Sequence, residues 1–293
     1  MLMNKIKSHI KSWPGHGWLG LGLIIVYWYI NWALSGLRTH LAFFPLWLGY
    51  GLVVDALVLR RKASSMLTRR PRAYLTLFII SAPGWWLFEL INLRTQNWLY
   101  QGRDFFTDFQ YFVLASVSFA TVMPAVFGTA ELVSTFGWLR RLKPGWKMPQ
   151  TNNVMIGFYM AGWTMLVLLV LWPRYFFPFV WGSVFCILEP LNVWLKNRSL
   201  TRYIADGDWR PVVSLSVGCL ICGFFWEMWN FYAYPKWIYH VPFVGFLQIF
   251  EMPLLGYLGY IPFAFELFAL YHLVTGVLKQ AEQHDFIQIV DYE

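Results

Sequence analysis

Phe225-Trp226-Glu227-Met228-Trp229-Asn230, followed by Trp237-Ile238-Tyr239, decides how the chain is read. An acid and an amide three residues apart share one face of a helix, and here the helix is an apolar run. The stretch has a counterpart in Phe88-Glu89-Leu90-Ile91-Asn92, followed by Trp98-Leu99-Tyr100. Glu89/Glu227 and Asn92/Asn230 are 138 residues apart, and Trp98/Trp237 and Tyr100/Tyr239 are 139 apart.

The offset continues outward from this motif. Gln110/Gln248, Phe112/Phe250, Pro124/Pro262 and Phe127/Phe265 keep it at 138. On the N-terminal side, Phe43-Phe44-Pro45 with Gly49 and Asp55 matches Phe176-Phe177-Pro178 with Gly182 and Glu189, at 133 or 134. A near-constant offset over polar, aromatic and proline positions is the signature of an internal duplication. Each copy holds four apolar runs, an even number, so both copies insert the same way up, and polar sites form where such halves meet.

The composition places these runs in a membrane. The chain is 58% hydrophobic and 13% charged, too little polar residue to cover a soluble globule. Eight runs, at 18–37, 41–59, 73–93, 109–136, 154–172, 175–195, 211–232 and 244–277, approach or exceed the roughly 20 residues a crossing helix needs. The expected fold is therefore an all-α polytopic membrane protein of eight transmembrane helices in two parallel four-helix repeats. Its parts are a cytoplasmic amphipathic segment (1–17), a first repeat (18–139), a basic linker (140–153), a second repeat (154–278) and a cytoplasmic tail (279–293) that is polar, mostly acidic and without a motif. The net charge of +8 does not call for nucleic acid: eighteen of the 23 Lys and Arg residues fall in alternate loops and only five in the others. That asymmetry predicts both termini in the cytoplasm of a multi-pass cell-membrane protein, with anionic membrane lipids as its partners.

Seven of the fifteen acids lie within the runs: Asp55, Glu89, Glu131, Glu189, Glu227, Glu251 and Glu266. An ionised carboxylate at bilayer centre costs roughly 3 kcal/mol, and no Lys or Arg lies deep in a run to neutralise them. Glu89, Glu227 and Glu251 form an outer layer, and Glu251 has no counterpart, Val113 standing in its place. The candidate catalytic residues are therefore Glu227, Glu251 and Glu89, with Glu227 and Glu251 expected to share a proton across a polar cavity between the repeats. Asn92, Asn230, Trp98, Tyr100, Trp237 and Tyr239 are the candidate substrate-binding residues. Two plainer readings stay open: the Glu/Asn pairs as hydrogen bonds between helices, and the aromatic residues as an interfacial belt. Asp55 and Glu189 read as ion pairs with Arg60, Arg61 and Lys196. Cys219 and Cys222 form a C-x-x-C, but Ser214, Gly218 and Cys222 fall at i, i+4 and i+8 as a small-residue ridge, which favours packing over redox or metal chemistry. The eighth run is too long for one crossing and is expected to break at Pro253, Gly256, Gly259 or Pro262. No metal-ligand spacing, phosphate loop or nucleophile elbow is present, so no cofactor is expected.

Trp226-Glu227, Trp237-Ile238-Tyr239 and Glu251-Met252-Pro253-Leu254 resemble the integral-membrane lycopene cyclase domain over about 30 residues. That family places a Trp-acid pair, a W-x-[YF] and a Pro-x-Glu-Glu in successive helices. Here the glutamate precedes the proline, and Leu255-Gly256 stand where the family has its acid pair. The resemblance implies acid catalysis on a polyene inside the membrane. The functional expectation is an acid–base enzyme of cyclase or isomerase type acting on an isoprenoid, carotenoid-like or other lipid. The rival expectations are a proton-coupled transporter or channel, and a non-catalytic membrane partner subunit.

Overall fold

The computed structural model describes residues 12–278 and 286–290, so most of the segment 1–17 lies outside the described residues. Apolar runs fold as helices because a helix satisfies its own backbone hydrogen bonds where no water can. The first half runs through α1 (Gly15–Ala33), α2 (Thr39–Lys62), a single turn at Met66–Arg69, α3 (Pro71–Thr95), β1 (Trp98–Gln101), α4 (Asp108–Phe119) and α5 (Val122–Ser134). The second half holds α6 (Asn152–Leu171), a helical piece ending in the 3-10 turn Phe177–Trp181, α7 (Ser183–Trp194), a short helix Leu200–Asp206, α8 (Arg210–Phe231) and β2 (Lys236–Tyr239). It closes with the two-residue strands β3 (Gln248–Ile249) and β4 (Met252–Pro253), a 3-10 turn Leu254–Gly259 and α9 (Tyr260–Val277).

Among the described residues, six helical segments are long and apolar enough to cross a membrane: α2, α3, α4 with α5, α6, α8, and Leu254–Val277. A seventh is reached when the pieces Pro173–Trp181 and α7, bent by 40° at Gly182, count as one span. α1 is not among them. The chain is thus mostly helical, with the span content of a membrane protein.

Helices pair within each half, α1 on α2 and α6 on α7, while α8 packs between α5 and α9. The α8–α5 approach is close: a Cβ on Gly218 would stand 2.7 Å from the Ala130 amide nitrogen. Ser214, Gly218 and Cys222 are buried along this contact, so the ridge works in packing. Pro124 and Pro262 each occupy the third position of a helix, α5 and α9, where a missing N–H removes no intrahelical bond.

The eighth run departs from a helix over more residues than Pro253 and the glycines alone suggest. Residues 242–259 fold as turns, the β3–β4 hairpin and a 3-10 turn, with left-handed backbone at Phe243, Leu247 and Phe250. Gln110 and Gln248 are therefore not conformational equivalents: Gln110 completes a capping box with Thr107 at the start of α4, while Gln248 lies in β3.

Around Asp55, Glu189, Glu131 and the tail the structure differs from expectation. Asp55 does not pair with Arg60 or Arg61. Its Oδ2 accepts from Ser65 Oγ (2.7 Å) and its Oδ1 from the Leu67 amide (3.0 Å), and His16 Nε2 lies 3.2 Å away. Glu189 likewise accepts from the Thr201 amide at 2.6 Å. Both carboxylates thus cap the first turn of a short inner helix, where orphan N–H groups and the helix dipole favour negative charge. Glu131 finds a cation from outside its own run, Arg69 Nη2 at 2.6 Å. In the tail, Phe286, Ile287 and Ile289 are fully buried. Their stretch is held by backbone: Arg198 Nη1 donates to the Ile287 carbonyl (2.6 Å), Ser214 Oγ to that of Ile289 (2.9 Å), and Arg69 Nη1 to that of Phe286. The pentad Phe286–Val290, apolar except for Gln288, packs into the core, so the tail is not uniformly polar and solvated.

Candidate functional site

β1 and β2, which follow α3 and α8, pair with each other as an antiparallel ribbon: Trp98 opposite Tyr239, Leu99 opposite Ile238, Tyr100 opposite Trp237, Gln101 opposite Lys236. With the sequence offset of 139, Trp98 faces the counterpart of Tyr100, Tyr100 faces the counterpart of Trp98, and Leu99 faces its own counterpart, Ile238. Such reciprocity is what a two-fold axis through the middle of the ribbon produces. Alternation along a strand sends Trp98, Tyr100, Trp237 and Tyr239 to one face, and all four line a cavity of about 170 Å³.

The asparagines hold this ribbon to its helices. Asn92 Nδ2 donates to the Trp98 carbonyl (2.8 Å) and Oδ1 accepts from the Asn97 amide (2.8 Å). Asn230 makes the same clasp, giving to the Trp237 carbonyl (2.7 Å) and accepting from the Trp237 amide (3.0 Å). With their polar atoms so engaged, Asn92 and Asn230 line neither of the two cavities found beside the ribbon; their role in the structure is to position strands, not to face a substrate.

One turn deeper stand the carboxylates. Glu89 Oε1 accepts from Trp85 Nε1 (2.9 Å), Trp98 Nε1 (2.9 Å) and the Tyr100 hydroxyl (2.5 Å). Glu227, fully buried, accepts on Oε1 from the Tyr239 hydroxyl (2.7 Å) and the Tyr260 hydroxyl (2.6 Å). Burial, and then the adjacent carboxylate, push the phenols of Tyr100 and Tyr239 well above their ordinary value, so both remain protonated donors at neutral pH. Neither carboxylate lines the cavity; the wall consists of their aromatic donors, with Trp226, Trp181 and Phe263. The expected polar cavity is instead an aromatic one with carboxylates behind its wall. Packing explains this: the indole and phenol rings reach the cavity while their polar edges turn inward to the acids.

Glu251 is placed differently from its sequence reading. β2 and the β3–β4 hairpin set Lys236 Nζ against Glu251 Oε1 in an ion pair, with both side chains about one-fifth exposed. Glu251 lines neither cavity, and its hydrogen-bonded partner is Lys236. Sequence reasoning passed over Tyr260, Trp85 and Trp181. Tyr260 has Val122 at the 138 offset and so gave no repeat signal, although both residues line the cavity.

A second cavity of about 360 Å³ adjoins the first. They share Trp98, Trp181, Tyr239, Met252, Gly256 and Gly259 as wall, and the second extends past Phe177, Val244 and Leu258. Thr39, His40, Arg103 and Lys236 are also among the residues that line the first cavity. Among the described residues no cluster of His, Cys, Asp or Glu could hold a metal ion. No protein-family model matches the chain, and no curated protein and no solved structure matches it significantly.

Proposed function

We propose that this chain is a cell-membrane protein of eight crossings, built by duplication, that binds a hydrophobic molecule in the aromatic cavity where its halves meet and acts on it by acid–base chemistry. α1 and the bent span complete the eight crossings, and the charge asymmetry of the loops puts both termini in the cytoplasm. The reciprocal β1–β2 register, together with matching Asn92 and Asn230 clasps, supports the duplication.

The observation behind the chemistry is that Tyr239 and Tyr260 present their rings to the cavity and their hydroxyls to one buried carboxylate, Glu227. With the Tyr239 or Tyr260 ring turned aside to open the wall, the carboxyl can pass its proton to a cavity-bound double bond and, as the carboxylate, recover one from a neighbouring carbon. A proton enters and a proton leaves, so cyclisation or isomerisation needs no cofactor. The aromatic wall would shelter the intermediate cation by its π faces. Glu227 is assigned the acid–base role and Glu89, on three donors, a supporting one. The resemblance to the lycopene cyclase domain points to the same chemistry, with an isoprenoid as the substrate.

A transporter reading draws on Glu266, which is fully buried and has no side-chain partner for either oxygen. One experiment separates the two. Lipid extracts of a gene-deleted strain carrying wild type, Glu227→Gln or empty vector are resolved by chromatography and mass spectrometry. The enzyme reading expects a hydrophobic product that wild type restores and Glu227→Gln does not, at equal protein level in the membrane. Identical lipid profiles in all three would remove it.

A further inference from the structure

The two cavities differ in how they meet the surface. Every residue that lines the first is buried or only partly exposed, whereas Pro178, Leu255 and Leu258 in the wall of the second are exposed, Leu258 at 58%. The second cavity, the larger of the two, therefore lies between the first and the outside. Its mouth is apolar. None of those three residues has a polar side chain, no charged residue lines the second cavity, and Leu254–Val277 has the length and apolarity of a span. Such a mouth opens to hydrocarbon rather than to water. The 3-10 turn Leu254–Gly259 builds both the mouth and the neck. Residues three apart eclipse in such a turn, so Leu255 and Leu258 form one ridge and Gly256 and Gly259 another. The leucines stand at the mouth, and the glycines line both cavities. Met252 and Trp181, which also line both, are seated on these glycines. A Cβ on Gly259 would stand 2.9 Å from Trp181 Cδ1, and one on Gly256 would strike the Met252 sulfur.

We infer that the second cavity is the lateral entry to the site from the outer leaflet, and that it holds the chain of an uncharged, linear hydrocarbon whose end reaches Tyr239 and Tyr260 in the first. The absence of charge follows from the walls. The second cavity has no charged residue, and the two in the first, Arg103 and Lys236, are each paired with an acid, so a charged ligand would be desolvated without a free counter-ion. The linear shape follows from the neck: a passage bounded by an indole and a flexible thioether admits a chain more readily than a fused ring system. The outer leaflet follows from the proposed topology, which puts the end of α8 and the start of α9 on the outer side. This inference rests on the reading of the first cavity as the ligand site and adds the shape and the route of the ligand to it.

The test is photolabelling of the full-length protein in nanodiscs of neutral lipid. The probe is eicosane bearing one diazirine near a chain end, and labelled residues are located by peptide mass spectrometry. Yields are taken relative to Ile79 on α3, which is exposed and open to any bilayer hydrocarbon. Wild type should carry label in both cavities, on the buried Phe119 and Val122 of the first and on Phe177 and Val244 of the second. Gly256→Leu drives Met252 into the neck and should cut first-cavity labelling about tenfold or more, the size of an overpacking penalty, while second-cavity labelling persists. Gly259→Leu, acting through Trp181, should do the same. Second-cavity labelling at the wild-type yield is itself the evidence that each variant is folded. Eicosanoic acid with its diazirine beside the carboxyl should leave Phe119 and Val122 unlabelled. First-cavity labelling that survives both glycine variants would overturn the route. Labelling of Phe119 and Val122 by the acid as strongly as by eicosane would overturn the uncharged class. Label in neither cavity above Ile79 would overturn the ligand site as well. The acid–base reading stands or falls separately, on the lipid profiles, because labelling needs no proton transfer.

Discussion

At the residue scale the decisive arrangement is a carboxylate held by aromatic donors, built twice with different partners and different burial, Glu227 being fully buried and Glu89 half-buried. Glu89 receives two indoles and one phenol, and Glu227 receives two phenols. A hydrogen bond to a charged group contributes about 1.5–3 kcal/mol. Tyr239→Phe removes one of the two donors to Glu227 and should lower the detergent melting temperature, whereas Leu99→Ala, at a position 41% exposed, should leave it nearly unchanged. A Tyr239→Phe protein as stable as wild type would mean that the hydroxyl is not holding the acid. The acids and their Trp/Tyr neighbours were legible in the sequence because a constant offset marked them. Tyr260 was not, since its counterpart is Val122. The Lys236–Glu251 pair was not legible either: it depends on a hairpin that brings residues fifteen apart into contact, and no periodicity announces that.

At the element scale the short pieces explain what the long helices do not. The inner acids Asp55 and Glu189 looked like charges in need of cations, but the turns at Met66 and Leu200 give them amide donors instead. Sequence spacing showed these acids near basic residues and could not show where the next helix begins. The break in the eighth run was legible at Pro253, Gly256 and Gly259, because proline and glycine both disfavour a helix interior. Its extent was not, since the β3–β4 hairpin needs left-handed backbone at Leu247 and Phe250 that their residue types do not signal. The tail was misread because its acids outweighed the pentad Phe286–Val290. Its burial makes a clear prediction. Ile287→Asp places a carboxylate in a fully buried position, a cost of about 3–5 kcal/mol for an uncompensated buried charge. A large fall in melting temperature should follow. An unchanged melting temperature would mean that the pentad contributes nothing to the inner face.

At the scale of the whole molecule, the two halves meet along the β1–β2 ribbon, beside an aromatic cavity. The membrane-spanning character of the apolar runs was legible from composition, while among the described residues six helical segments, or seven with the bent pair, have the length and apolarity of a span; that the halves exchange strands was not legible, because a four-residue strand following a helix carries little pattern of its own. Reporter fusions placed after Arg103 and after Lys236 should report the outer side, and those after Arg70 and Lys147 the cytoplasm. One reversal among the four would change the number of crossings in a half and turn the second copy over. The most direct test of the account is a cross-link at the centre of the ribbon. Leu99 and Ile238 are directly opposed, and opposed residues of an antiparallel pair have Cα atoms about 4.5–5.5 Å apart, within the range a disulfide spans. Cys186, Cys219 and Cys222 are replaced, Leu99→Cys and Ile238→Cys are introduced, and a protease site is inserted in the linker 140–153. After oxidation and cleavage, the halves should remain joined on a non-reducing gel and separate when reduced, while Leu99→Cys paired with Ile249→Cys should give no link. Halves that separate without reductant would contradict a site built by the pairing of the two repeats.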